Sequence, residues 1–218
     1  MCIRDRGQPA DYSDGMLNSL LSLADVMATG YHAARVANVT TGDTVVVVGD
    51  GAVGLCGVIS AKLRGAKRII AMSRHADRQK LATEFGATDI IPERGDEAVE
   101  KVMALTNNAG ADAVLECVGT EQSNDTAMKV GRPGAIVGRV GLPHEPKMDM
   151  ANSFYRNTII AGGPASVTTY DKQVLLKAVL DGDIHPGKVF TKAFKLDEIN
   201  AAYQAMADRK VIKSLIIV

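Results

Sequence analysis

Gly49, Gly51 and Gly54 are spaced G-x-G-x-x-G, directly after the valine run 45–48 and at the start of a helix-like stretch, 52–65. Each glycine answers a separate need. Gly49 permits the tight exit from a strand. Gly51 removes the Cβ that would keep a pyrophosphate away from the backbone, and Gly54 lets the following helix pack closely on the strand. The amides of Ala52 and Val53 would then face the phosphates from the positive end of a helix. Between a strand and a helix, with a second strand following, the spacing predicts a dinucleotide site. A glycine-rich turn that binds nothing is the plainer alternative. Methyltransferases also use a glycine-rich first turn, but usually place an acid just before it, where this chain has Val48.

The next group able to do chemistry stands at the end of the second apolar run. A site for NAD wants a carboxylate ~20 residues on, accepting from the ribose 2′-hydroxyl. Here Ser73 lies 19 residues after Gly54, with Arg74 next to it and Arg78 one helical turn later. A hydroxyl and guanidinium groups suit a 2′-phosphate, which a carboxylate would repel. NADP is therefore favoured over NAD, with solvated arginines as the alternative. Asp77 falls within the expected next helix and is set aside as a ribose ligand.

Short apolar runs must position these groups. TVVVVG (44–49), RIIAMS (68–73), DIIP (89–92), AVLECVG (113–119), AIVGRVG (135–141) and TIIAGG (158–163) predict six strands. Between and after them, 52–65, 76–86, 96–107, 122–130 and 171–181 predict helices. Strands apolar along their whole length are buried on both faces, and their alternation with helices implies a parallel sheet covered on both sides. The expected fold is α/β, a doubly wound, Rossmann-like parallel sheet over 39–182. The flanks differ. Residues 16–37 predict helix with a break at Thr29–Gly30, 181–190 a loop, and 195–210 a helix. The tail 214–218 (SLIIV) predicts a strand that needs a sheet, which need not be the doubly wound one.

Composition excludes several classes. Lys+Arg and Asp+Glu are each 25, so the formal net charge is zero, and no global field draws nucleic acid or an anionic membrane. Hydrophobic residues make up 46% and charged residues 23%, ordinary for a soluble globular domain. No apolar run approaches the ~18 residues that span a bilayer, and the start MCIRDRG has no apolar stretch after its charges, unlike a secretory signal. Cys2, Cys56 and Cys117 form neither a disulfide framework nor a CxxC pair; Cys56 and Cys117 read as small buried hydrophobes. A reducing cytoplasm is the expected compartment.

Longer segments carry a resemblance. LADVMATGYHAARVANVTTGDTVVVVGDGAVGLCG (23–57), RGAKRIIAMSRHADRQKLATEFGATDII (64–91), GADAVLECVG (110–119), RPGAIVGRVGLP (132–143) and AYQAMADRKVIKSLIIV (202–218) resemble the medium-chain dehydrogenases/reductases, specifically the zinc-dependent alcohol dehydrogenases. The match covers roughly 15–218. It implies hydride transfer between NADP(H) and a small alcohol or carbonyl substrate, assisted by zinc in the full-length parent. It places Asp25 where the family has a ligand of the catalytic zinc, usually Cys and in some members Asp. Thr29 would lie near the nicotinamide. Val118 and Gly119, with Val140, Gly141 and Leu142, would line the nicotinamide ribose and ring, and Lys213 would reach the cofactor phosphates. The resemblance also implies a homodimer through 157–161, whose middle carries no Lys or Pro to blunt an edge. His32, His75, His144 and His185 match no zinc-ligand position of the family and are expected to be structural or superficial.

The departure from the family is large. Its GroES-like β-rich domain, with the other zinc ligands and the proton relay, has no counterpart here, and no catalytic residue is assigned. Residues 1–14 read as a non-family leader with an artefactual start, 15–38 as a connecting helical segment, and 183–218 as a remnant of the catalytic domain. The chain is thus expected to be a cofactor-binding fragment, inactive alone. A zinc-free, quinone-reductase-like member of the superfamily and a non-catalytic dinucleotide-binding module stand as alternatives.

Overall fold

The computed structural model describes residues 8–143 and 149–218. The chain divides into two compact units, one formed by the segment ending at Asp25 together with Thr168–Val218, the other by Val26–Val167. The first seven residues, Cys2 among them, and His144 lie outside the described residues.

The Val26–Val167 unit is a parallel sheet of β1 (Thr44–Val48), β2 (Arg68–Met72), β3 (Asp89–Ile91), β4 (Ala111–Glu116), β5 (Gly131–Arg139) and β6 (Ile159–Gly162), in the order β3-β2-β1-β4-β5-β6. The doubly wound α/β class is therefore present as expected. A parallel pair needs a crossover, and helices supply it. Among the described residues two α-helices precede β1, α1 (Asp14–Ser22) in the other unit and α2 (Val26–Val36) in this one. After β1 come α3 (Ala52–Leu63), α4 (Ala76–Phe85), α5 (Gly95–Leu105), α6 (Glu121–Val130) and α7 (Met150–Arg156). Val46, Ile70, Val114 and Val137 from four neighbouring strands share one buried cluster, each such side chain contributing roughly 1.5–3 kcal/mol of burial. β1 pairs with β2 on one side and β4 on the other. The strand order reverses there, and ligands of open α/β sheets bind outside the carboxyl ends at that point.

Three local expectations are corrected. No break occurs at Thr29–Gly30, because both lie inside α2; the chain leaves the helix earlier, between Ser22 and Val26. Gly30 is small because α2 meets α3 there: a Cβ on it would come within 2.6 Å of the Gly57 amide nitrogen. Strand β5 starts at Gly131 rather than 135, since Gly131 already pairs with Ala111 ahead of a register shift. A helix the sequence did not announce, α7, follows Asp149, whose carboxylate accepts from the Asn152 amide at 2.9 Å.

The other unit joins the two ends of the chain. Ser13 caps α1, and the Gly187 amide donates to the Ser19 hydroxyl at 3.2 Å. α8 (Thr169–Leu180) opens with a reciprocal Thr168–Asp171 cap. The segment 181–190 is not a plain loop. It contains a 3-10 helix, Pro186–Val189, and runs into β7 (Phe190–Lys195), whose alternating polar residues hid it. The helix expected at 195–210 is only α9 (Ile199–Ala207), because Lys195 belongs to β7 and Arg209 takes a φ of 58°. The expected tail strand forms as β8 (Lys213–Ile217), pairing in parallel with β7 in a separate two-stranded sheet.

Candidate functional site

The turn from β1 into α3 needs two of its three glycines for itself. Gly49 has a φ of 115°, and a Cβ on it would meet Val118 Cγ2 at 2.6 Å. A Cβ on Gly54 would collide with the carbonyl of Gly49. Gly51 is different. Its φ of −74° suits any residue, and a Cβ there would meet nothing within 4 Å. Among the described residues nothing demands a glycine at 51, and its missing side chain leaves the backbone open to an approaching group. Beside it, Ala52 and Val53 begin α3 half-buried, with the unpaired amides that every helix start presents. This loop fits a pyrophosphate.

At the end of β2, Ser73 and Arg78 are buried and Arg74 is exposed. All three converge on a residue that the sequence analysis overlooked, Asp50. Its carboxylate accepts from the Ser73 hydroxyl at 2.9 Å, the Arg74 amide at 3.2 Å and Arg78 Nη1 at 3.2 Å. Arg78 Nη1 also reaches the Asp50 carbonyl at 3.4 Å. Burial works to raise the Asp50 carboxyl, but the Ser73 hydroxyl, the Arg78 charge and the Arg74 amide outweigh it and hold it below the usual carboxylate range. Arg78 is therefore not a solvated surface charge. The signal that could have found Asp50 is an acid set between two loop glycines, in a turn meant for anions.

The ends of β4 and β5 meet a second overlooked acid. Glu116 is fully buried, and its Oε1 accepts from the amides of Val118 at 2.9 Å and Gly119 at 2.7 Å. Its carbonyl accepts from Val140 at 2.9 Å and Gly141 at 3.1 Å. The acid thus draws together four of the residues expected to line the nicotinamide side. Gly119, with a φ of 91°, and Gly141 leave no room for a Cβ against each other's strand end. Val118 and Leu142 are exposed. Cys56 is buried, and burial next to the Glu116 charge pushes the half-buried Cys117 thiol up, away from reactivity. Thr29 is half-buried on α2, next to the Gly30 contact with α3.

Asp25 and Lys213 belong to the other unit, where they pair with each other at 3.5 Å. The sequence assigned one to a metal and the other to a phosphate. His32 is buried beside Arg35, whose Nη2 lies 3.3 Å from Nδ1, while His185 is exposed. Among the described residues, no group of three His, Cys, Asp or Glu side chains could hold a metal. A zinc site needs three protein ligands, so these residues do not fit one by themselves.

Comparison with known proteins agrees with the sheet. A family profile described as zinc-binding dehydrogenase matches residues 52–175. The chain is 31% identical over 213 residues to the NADP-dependent isopropanol dehydrogenase of Clostridium beijerinckii, covering 94% of this chain and 60% of that protein. It is 41% identical over 122 residues to a probable zinc-binding alcohol dehydrogenase of Mycobacterium tuberculosis, covering 56% of this chain and 31% of that one. Among solved structures, the alcohol dehydrogenase TADH from Thermus sp. ATN1 superposes with a TM-score of 0.84 at 28% identity, over 92% of this chain and 58% of that one. The chain spans 55% and 60% of the length of the curated relatives from Cupriavidus necator and Clostridium beijerinckii.

Proposed function

This chain belongs to the zinc-binding dehydrogenase family, and we propose that it is the NADP(H)-binding portion of an oxidoreductase that interconverts an alcohol and the corresponding carbonyl compound. The observation that carries this is Gly51, open to the outside at the start of α3, within reach of the Ser73–Arg78 cluster through Asp50. The bound nicotinamide would supply the hydride donor or acceptor.

The chain's own residues bind and orient. The amides of Ala52 and Val53 receive the pyrophosphate, and Gly51 admits it. Ser73, Arg74 and Arg78 offer one hydroxyl, one amide and two guanidinium groups to a 2′-phosphate. Val118, Gly119, Val140, Gly141 and Leu142 form the wall for the nicotinamide half, and the buried Glu116 fixes their backbone. Relatives described as NADP-dependent isopropanol dehydrogenases support the choice of NADP(H) and of a small alcohol. No step is assigned to zinc, since Asp25 pairs with Lys213.

A second reading, that this chain binds the dinucleotide without catalysing anything by itself, is favoured by the lack of a metal-ligand group among the described residues. Fluorescence titration of the whole chain with NADPH and NADH tests the first part. Saturable binding with NADPH the tighter is expected, because a charge-assisted phosphate contact contributes roughly 1.5–3 kcal/mol, up to one to two decades. No NADPH binding would overturn the proposal. Alcohol oxidation assayed with and without a chelator separates the two readings: chelator-sensitive turnover by the pure chain would refute the second.

A further inference from the structure

The end of β2 lacks the acid that usually receives a ribose hydroxyl, yet a carboxylate stands there all the same, delivered from the glycine loop. Asp50 reaches Ser73, the first residue after β2, from 23 positions upstream and is bonded to Ser73 Oγ, Arg74 N and Arg78 Nη1. Its side chain and that of Arg78 are almost fully enclosed, at 11% and 8% exposure. Those three donors are the ones a 2′-phosphate would use. We propose that Asp50 sets the dinucleotide specificity of this chain: its carboxylate competes with a 2′-phosphate for Ser73, Arg74 and Arg78, and accepts a hydrogen bond from a ribose 2′-hydroxyl when that phosphate is missing.

The inference rests on the dinucleotide reading above and changes what that reading predicts. A phosphate entering this pocket meets a resident anion. It must either displace the carboxylate from its donors or share them with it, and two anions within a few ångströms in a partly buried site repel strongly. A 2′-hydroxyl meets no such obstacle. It is a donor, and Asp50, held ionised by its neighbours, is an acceptor with spare lone pairs. Ser73 and the arginines therefore favour NADP(H), Asp50 works against it, and the net preference is smaller than the cationic groups alone would give. Asp50 is a positioning residue as well, since it holds the Arg78 guanidinium against the glycine loop. If that were its only role, its loss would weaken NADPH, whose 2′-phosphate Arg78 would hold, more than NADH, and the preference would fall.

The test is the ratio of Kd values, NADH over NADPH, measured by fluorescence titration on the whole chain and on Asp50→Asn. The amide is isosteric and can still accept from Ser73. The ratio is expected to rise at least tenfold, NADPH binding more tightly and NADH more weakly. Asp50→Ser, which removes the carboxylate with less demand on the turn, is expected to move the ratio the same way and guards against one misfolded variant; thermal melts show which variants are folded. A ratio unchanged within twofold in the folded variants, or one that falls, overturns the role of Asp50 while leaving the dinucleotide site intact. Wild type that binds NADH as tightly as NADPH, with Asp50→Asn preferring NADPH, overturns the NADP preference proposed for the chain and upholds Asp50. Failure of all chains to bind either nucleotide overturns both.

Discussion

Glu116 Oε1 accepts the Gly119 amide at 2.7 Å, tying the carboxyl end of β4 back on itself from inside the core. The same oxygen takes the Val118 amide at 2.9 Å, while Oε2 is buried with no hydrogen-bond partner among the described residues. Glu116→Ala strands the buried Gly119 N–H and the part-buried Val118 N–H, at roughly 1–3 kcal/mol each, with the part-buried group at the low end. A loss of about 2–4 kcal/mol in urea unfolding is expected. Glu116→Gln keeps an acceptor and is expected to lose less than half as much. Equal losses for the two variants would mean that the bonds to Val118 and Gly119 are not what the acid contributes.

The glycines of the loop separate folding from binding. Gly51→Ala adds a methyl to open space at a φ of −74°, so the melting temperature is expected to stay within a degree or two while dinucleotide affinity falls at least tenfold. Gly54→Ala forces a Cβ against the Gly49 carbonyl and is expected to lower the melting temperature by several degrees, since overpacking costs ~1–3 kcal/mol. Calorimetry without ligand distinguishes them; a destabilised Gly51→Ala would show that the space is not free.

Association through the sheet edge is a further expectation. β6 is the last strand in the order, and Ile159 stands 52% exposed on it. Ile160, by contrast, packs partly against the buried cluster. A twin strand across a two-fold axis would satisfy the unpaired edge. We therefore expect a homodimer, converted to monomer by Ile159→Lys without loss of fold. Sedimentation checks both; a monomeric wild type sinks the assignment.

Acid should act through named carboxyls. Arg68 grips Asp89 with two bonds of 2.8 Å and, against the opposing effect of burial, helps Thr88 hold its carboxyl below the usual range. Burial raises Asp50 and Asp112, but their hydrogen bonds and arginine partners outweigh it, and both also end lowered. A carboxyl lowered in the native state binds fewer protons there than in the unfolded chain. Its stabilisation is complete above the unfolded value of ~3.9 and is lost as the pH falls through the native value. Stability is thus expected to be flat from neutrality down to about pH 5 and to drop below about pH 4. Asp89→Asn should lower the plateau and make the acid decline shallower. A decline of unchanged steepness in that variant would remove Asp89 from the account.

What the sequence showed depended on how local the signal was. The six strands of the doubly wound sheet were legible because Val45–Val48, Ile69–Met72 and Val114–Leu115 are apolar on both faces, which only a covered sheet requires. β7 was missed because Phe190, Thr191, Lys192, Ala193, Phe194 and Lys195 mix exposed and buried positions like a loop. Gly30 was read as a break, since a glycine that ends a helix and one that lets two helices touch look alike without the partner, here Gly57 and Cys56. At the candidate site, the glycines announced themselves by spacing. Asp50 did not, because its partners Ser73 and Arg78 lie 23 and 28 residues away and only the parallel register of β1 and β2 brings them together. Glu116 left one trace, a charge directly after the apolar run Ala113–Leu115.

The discontinuity of the smaller unit bears on how the chain comes off the ribosome. Val26–Val167 is one uninterrupted stretch, able to collapse as soon as it clears the exit tunnel. The α1 segment emerges earlier but lacks its partners, because Ser19 waits for Gly187, the residue whose amide it receives. Until more than 160 further residues have been translated, the apolar face of α1, with Leu20 on it, has no native cover from its own unit. Nascent chains stalled before residue 187 should therefore protect the β1–β6 sheet from protease while leaving α1 open to cleavage and to chaperones that recognise exposed apolar helix.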